Sequence, residues 1–322
     1  MKTLKQGLKT GLQTTWTLGK IIFPITLIVT ILGYTPVMDW LTKLLSPMMG
    51  YIGLSGEAAI PLVLGNILNL YAAIGAMLTM DLTVKEVFIL AVMMSFSHNL
   101  IVESAVAKQV GVKIWIMVLV RIGLALFSAW IINLVWQGGG ERAKYGFVPS
   151  AEETLTGWGA IILYGVESAV IGIIQLAVIV IPIMIFIQIM KDLKWLNVFS
   201  RWMSPFTRVL GIKENTSTTL AAGLVFGLAY GAGVMIQAVK EDGVSKKDLY
   251  LVMIFLVACH AVIEDTLLFA PLGIPLWPLL LIRLVTAIVL TIIVAFVWNR
   301  IDKKGEKGKN SEDETSKLHR SS

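Results

Sequence analysis

Eight long apolar runs leave this chain few ways to fold. They fall at 21–36, 58–80, 87–107, 114–136, 168–190, 216–239, 249–270 and 274–298. A helix needs about 20 apolar residues to cross a bilayer. Every run except the first reaches that length comfortably; the first is shorter and contains Pro24. Hydrocarbon offers backbone amides no partner, so each run must satisfy its own hydrogen bonds as a helix. The expected fold is all-α and integral to the membrane, with about eight transmembrane helices. Composition agrees. Of 322 residues 15% are charged and mean hydropathy is +0.79, against about 25% charged in soluble domains.

The segments between the runs place the chain at the membrane surface. In 1–20, Leu4, Leu8 and Leu12 recur opposite Lys2, Lys5 and Lys9, which reads as an amphipathic helix at the interface rather than a cleavable signal. Segments 37–56 (Trp40, Lys43) and 191–215 (Trp195, Arg201, Trp202, Arg208) read as two further interfacial amphipathic helices. Residues 300–322 are polar and read as a disordered tail. With eight spans and both termini in the cytosol, the inside segments carry 15 Lys and Arg and the outside segments 8, a bias that favours this orientation. The five outside positives, Lys191, Lys194, Arg201, Arg208 and Lys213, run against it.

The chain is also a repeat of itself. At an offset of 158, Pro24 meets Pro182, Ser46-Pro47 meets Ser204-Pro205, Gly65 meets Gly223 and Gly75 meets Gly233. After a four-residue insertion near Glu241–Val244 the offset becomes 162. There His98 meets His260, Gly111 meets Gly273, Trp115 meets Trp277, Arg121 meets Arg283 and Trp136 meets Trp298. The sequence thus divides into a first repeat (1–136), a linker (137–156), a second repeat (157–299) and the tail (300–322). Internal duplication is a hallmark of transporters, whose halves form a solute site between them near the midplane. Four spans per half make the repeats parallel and an odd number makes them inverted; the charge count favours parallel.

Polar residues inside the apolar runs mark candidate sites, since ionisable groups in hydrocarbon are costly, about 2.5–3.5 kcal/mol each on insertion scales. The third and seventh runs each hold a histidine and acids: His98, Asn99 and Glu103, then His260, Glu264 and Asp265. On a regular helix His260 and Glu264 share a face, a spacing that suits two ligands of one metal ion, with His98 as a third. His98 and Glu103, five apart, do not share a face. Arg121 and Arg283 each follow their acid, Glu103 or Asp265, by 18 residues across a short turn. Each is expected to pair with it as a structural clamp, and a charge-swapped Glu103→Arg/Arg121→Glu double mutant should then recover folding lost in either single mutant. Asn66, Asn69 and Tyr230, on the second and sixth runs, complete the candidate solute-contacting set. Gly223, Gly227 and Gly231 recur every four residues, the ordinary device for close helix packing, with a broken helix as the functional alternative. No activated nucleophile, cofactor motif, phosphate loop or aromatic-interleaved basic stretch is present, so neither an enzyme, a bound cofactor nor a nucleic-acid partner is expected.

The segments SFSHNLIVES (95–104) and ACHAVIEDT (258–266) are each followed by Gly-hydrophobic-x-x-Trp and an intramembrane arginine. With the duplicated unit, they give the chain a resemblance to the "nucleoside recognition" or Gate-domain membrane proteins. That group includes the spore maturation proteins A and B, and its unit recurs in concentrative nucleoside transporters and ferrous-iron transporters. No GTPase region precedes the membrane part here, a departure from the iron-transporter arrangement. The resemblance implies a multi-pass permease of the bacterial plasma membrane, moving a small polar solute, with a nucleoside or nucleobase favoured. The alternatives are a divalent cation permease, and a non-transporting component of a membrane complex. The expected partners are the solute or ion and the lipid bilayer; assembly into a homo-oligomer is left open.

Overall fold

The computed structural model describes residues 2–146, 155, 157–241 and 243–320. In chain order the helices are α1 (Lys2–Gly33), α2 (Pro36–Gly50), α3 (Ala59–Ile67), α4 (Leu70–Met77), α5 (Val84–Ser97), α6 (Leu100–Gln109) and α7 (Ile114–Val135). The second half follows with α8 (Trp158–Asp192), α9 (Trp195–Val209), α10 (Ser217–Glu241), α11 (Lys246–Ala258), α12 (Val262–Leu267) and α13 (Leu276–Arg320). The described residues form no extended sheet, only an isolated bridge between Thr83 and Arg142.

Among the described residues six helices are long and apolar enough to cross a membrane, not eight: α1, α5 with α6, α7, α8, α11 with α12, and α13. The second apolar run turns back on itself. α3 and α4 pack against each other, with Gly65 facing Ala73 across the pair. The sixth run does the same. Lys213 N–H, before α10, donates to Asp248 Oδ1 (3.3 Å) at the start of α11. Both ends of α10 therefore lie at one level, and its 25 residues must fold over. The turn is at Gly227, whose φ of 74° and ψ of 176° fall in a region essentially reserved for glycine. An apolar run fixes that a segment is buried in hydrocarbon, not that it emerges on the far side.

The N-terminal amphipathic stretch is not a separate helix lying along the membrane surface. It is continuous with the first apolar run as one helix of 32 residues, Pro24 inside it. The reason is its partner. Gly7 lies against Ile185, Gly11 against Ile181 and Gly19 against Ile173, while Gly165 meets Leu27 and Thr30. The numbering falls on one helix as it rises on the other, so α1 and α8, equivalent members of the two repeats, run antiparallel. The same inversion holds elsewhere: Gly111, after α6, lies against Leu249 in α11, and Lys113 N–H donates to Tyr250 Oη (3.1 Å). The repeats are inverted, not parallel, because each half contributes three crossings and a re-entrant hairpin. Glycines let these backbones meet. A methyl on Gly7 would stand 2.7 Å from Ile185 Cα. Gly7→Val should therefore cost about 1–3 kcal/mol by overpacking, read as a lower unfolding temperature in detergent. Gly33→Ala, with nothing within 4 Å, should leave that temperature unchanged.

α2 and α9 are the short helices expected at the interface, with Trp40 and Trp202 largely exposed on them. At the C-terminus the helix backbone of α13 continues through the polar tail to Arg320, where the sequence alone implies disorder. A helix already formed in the apolar segment extends without a new nucleation cost.

Candidate functional site at the paired helix breaks

Both histidines sit where a spanning helix is interrupted. α5 ends at Ser97 and α6 begins at Leu100, with Asn99 in the left-handed region (φ 53°, ψ 38°). α11 ends at Ala258 and α12 begins at Val262, with Ala261 left-handed as well (φ 41°, ψ 47°). Asparagine visits that region readily, while a residue of alanine's kind costs roughly 1–2 kcal/mol there. Non-helical backbone at membrane depth must find partners inside the protein, and the hairpins supply them. Asn99 N–H donates to Gly65 O (2.8 Å), and Ala261 N–H to Gly223 O (3.1 Å). The two glycines are repeat equivalents, and so are the two breaks.

The arginines serve the other side of each break. Arg121, fully buried, donates from Nε to Phe96 O (2.8 Å) and from Nη2 to His98 O, and its Nη2 stands 2.8 Å from Glu103 Oε2. Arg283 donates from Nη2 to His260 O (2.6 Å) and Asp265 Oδ2 (3.0 Å), and from Nη1 to Thr266 Oγ1 (3.0 Å). Each guanidinium thus joins a carboxylate to the loose carbonyl end of a broken helix, using the several donors that only arginine offers.

The histidines are oriented by their own helices. His98 Nδ1 is 2.6 Å from Met94 O and His260 Nδ1 is 2.7 Å from Leu256 O. A carbonyl can only accept, so each Nδ1 carries a hydrogen, and each neutral imidazole presents a bare Nε2. Both Nε2 atoms face one carboxylate oxygen: Glu103 Oε1 lies 3.3 Å from His98 Nε2 and 3.2 Å from His260 Nε2. His260 Nε2 is also 3.7 Å from Asp265 Oδ2, and the two rings are 5.2 Å apart. In that neutral form three lone-pair atoms from two halves converge with no hydrogen among them. Such a contact is repulsive until a cation, a proton or a metal ion, enters it.

A small cavity surrounds this point, lined by both breaks and both hairpin tips, including Asn69, Asn99 and Gly227. Its open space is about 70 Å³, roughly two waters' share at about 30 Å³ each. Formal charge in the cluster is uneven. Glu103 and Asp265 each have an arginine, but Glu264, which also lines the cavity, accepts instead from Tyr71 Oη (2.7 Å). With neutral imidazoles and Glu264 ionised, the cluster carries one excess negative charge.

Several sequence expectations change here. His260 and Glu264 do not share a helix face, because Ala261 interrupts the helix between them. The group with metal-ligand spacing is His98, His260 and Asp265, with Glu264 turned to Tyr71. His98 and Glu103, separated on a regular helix, meet across the break. Asn69 caps α4, accepting from Ala72 N–H (2.9 Å), and faces the cavity. Asn66 does not; its side chain donates to Leu62 O (2.7 Å) on the outer side of α3. The Tyr230 side chain lies outside the described residues. Tyr71 went unnoticed in the sequence because its repeat equivalent is Ala229, so no self-alignment flags it.

These features define a multi-pass membrane protein of two inverted halves with a buried polar site between them. The family described as Gate, nucleoside recognition, matches residues 15–113 and 173–275. Those segments begin 158 and end 162 residues apart, the two offsets at which the halves align. The chain is also 61% identical to the uncharacterized membrane protein YvoD of Bacillus subtilis (strain 168) over 299 residues, 93% of this chain and 96% of that one. The protein belongs to the Gate family. No solved structure matches it.

Proposed function

We propose that the protein is a carrier, not an enzyme, that moves a small polar solute across the bacterial plasma membrane by binding and releasing a proton at the His98–Glu103–His260 cluster. The observation that carries this is the convergence of two bare imidazole nitrogens and Glu103 Oε1, from opposite halves, on one small cavity. A single proton there relieves the lone-pair repulsion and, with Glu264 ionised, cancels the excess charge. Histidine is the side chain suited to exchanging it near neutral pH. His98, His260, Glu103 and Asp265 hold the proton in this reading; Asn69, Asn99 and Glu264 face the solute.

The fold supports the orientation as well. With six crossings, the five positives at 191–213 move to the same side as both termini. Lys and Arg then number 19 inside and 4 outside, a stronger cytoplasmic bias than eight spans give. The halves also differ in a way that alternating access requires. In the first, Thr26 Oγ1 donates to Gly75 O (3.1 Å) and α4 lies on α1. In the second, Met184 stands at the position of Thr26, and among the described residues nothing outside its own helix lies within 4 Å of where a Cβ on the equivalent Gly233 would stand.

By the family's description, nucleosides and nucleobases are the first solutes to try. The cavity, at about 70 Å³, is well below the roughly 300 Å³ where pockets for organic ligands begin, so the hairpin tips must separate to admit one. A proteoliposome bearing the protein should take up a labelled nucleoside or base faster with an imposed pH gradient. The His98→Ala/His260→Ala protein should fall to the protein-free background. If no nucleoside or base is taken up, that substrate class is wrong. A second reading, a divalent cation permease, is favoured by the His98–His260–Asp265 spacing. It requires purified protein to bind Zn, Mn or Fe with an affinity that both histidines control.

A further inference from the structure

Beside the polar cavity, the second half holds a much larger space of about 880 Å³, within the range of small-molecule sites. It lies between the C-terminal part of α8, the apolar face of α9 and the first arm of α10, and its aromatic walls include Phe186, Phe199, Trp202, Phe206 and Phe255. Among the described residues its sole ionisable lining residue is Glu264, which also lines the polar cavity. The repeat offers a built-in comparison. The equivalent space in the first half is about 260 Å³, is not lined by α2, and contains no acid; Val102 stands at the position of Glu264. A duplicated chain does not need this chamber for folding, since the first half folds without its like.

We infer that the chamber is a second binding site, and that it takes an apolar or aromatic compound bearing one ammonium group. The walls match the apolar body. The head is specified by charge: Glu103 and Asp265 are neutralised by Arg121 and Arg283, whereas Glu264 has only the Tyr71 hydroxyl. A carboxyl group alone in apolar surroundings tends to stay protonated, and an ammonium group placed against it holds it ionised as a charge-assisted pair. A neutral lipid tail would fill the same walls but gain nothing from the acid. The mouth lies at α9, whose Trp195 and Trp202 are exposed and which also carries the exposed Arg201 and Arg208. A short helix bearing tryptophan and arginine suits the membrane–water interface, where amphipathic amines partition. This inference concerns binding and is independent of whether the histidine cluster moves a proton.

The test uses the full-length protein in nanodiscs and two probes sharing one ring system, 1-pyrenemethylamine and 1-pyrenemethanol, followed by energy transfer from tryptophan. Saturable binding of the amine is expected, at least tenfold tighter than the alcohol. Glu264→Gln, which keeps an acceptor for Tyr71, should abolish that preference, while Glu264→Asp should retain most of it. Leu224→Trp, which narrows the chamber, should weaken both probes, and decides the matter if Glu264→Gln does not fold. The His98→Ala/His260→Ala protein should still bind the amine, which separates failure of this inference from failure of the transport reading. Equal affinity for the two probes, the behaviour of an acyl-chain slot, overturns the proposal. So does a preference that survives Glu264→Gln, unchanged binding in Leu224→Trp, or no saturable binding of either probe.

Discussion

The charge-swapped double mutant Glu103→Arg/Arg121→Glu should not recover the stability lost in either single mutant. On sequence grounds the two residues look like an exchangeable ion pair, and a swap restores the net charge. The geometry removes that symmetry. Arg121 also donates to Phe96 O and His98 O, and Glu103 Oε1 faces both imidazoles. A carboxylate at position 121 has nothing to donate to those carbonyls, and a guanidinium at 103 has no lone pair for a protonated histidine. Breaking one partner of a buried pair costs about 3–5 kcal/mol, a large part of the 5–15 kcal/mol that holds a typical protein folded. The swap should lose at least as much as Arg121→Ala alone. The unfolding temperature in detergent is the measurement. Recovery to within about 1 kcal/mol of wild type would mean that only charge balance matters and that the carbonyl bonds are incidental.

Gly227→Ala should be nearly as damaging, and for a backbone reason. The tip of the second hairpin needs a φ/ψ combination that side chains exclude, at a cost of order 1–3 kcal/mol. A Cβ there would also stand 3.1 Å from the Ala261 Cβ, pushing on the break that carries His260. Expected are a loss of about 2–3 kcal/mol and, in the uptake assay, activity reduced at least tenfold. Gly233→Ala provides the contrast. Its φ is ordinary and no atom lies within 4 Å, so it should be neutral or gain about 0.5–1 kcal/mol. If both substitutions behave alike, the turn at Gly227 is not needed.

These two cases also show where the sequence stops being readable. The repeat, the all-helical membrane fold and the His98 and His260 neighbourhoods are legible because apolar runs and stray ionisable groups each have a direct free-energy meaning. The hairpins are not. Residues 58–80 and 216–239 have the hydropathy of spans, and Gly227 is one glycine in a four-residue series that also reads as ordinary packing. The break at Ala261 is hidden further, since alanine is the residue least expected to leave a helix. A regular helix through His260 and Glu264 gives a metal pair that the fold separates. Asn66 is illegible for a related reason: its distance from the hairpin tip decides which way it faces, and hydropathy does not mark the tip. Inversion of the halves follows from six spans, and with six spans the charge cluster at 191–213 is no exception.

The antiparallel seam between α1 and α8 has a consequence in time. Gly7, Gly11 and Gly19 are made first, but Ile185, Ile181 and Ile173 leave the ribosome roughly 160 residues later. At about 5–20 residues per second that interval is on the order of 10–30 s. Meanwhile the growing first half sits in the bilayer with its glycine face against lipid, and His98 and Glu103, once made, wait a further 162 residues for His260 and Asp265. Assembly of this protein is thus paced by synthesis, and a newly inserted first half is the intermediate that a cell's membrane quality control would meet.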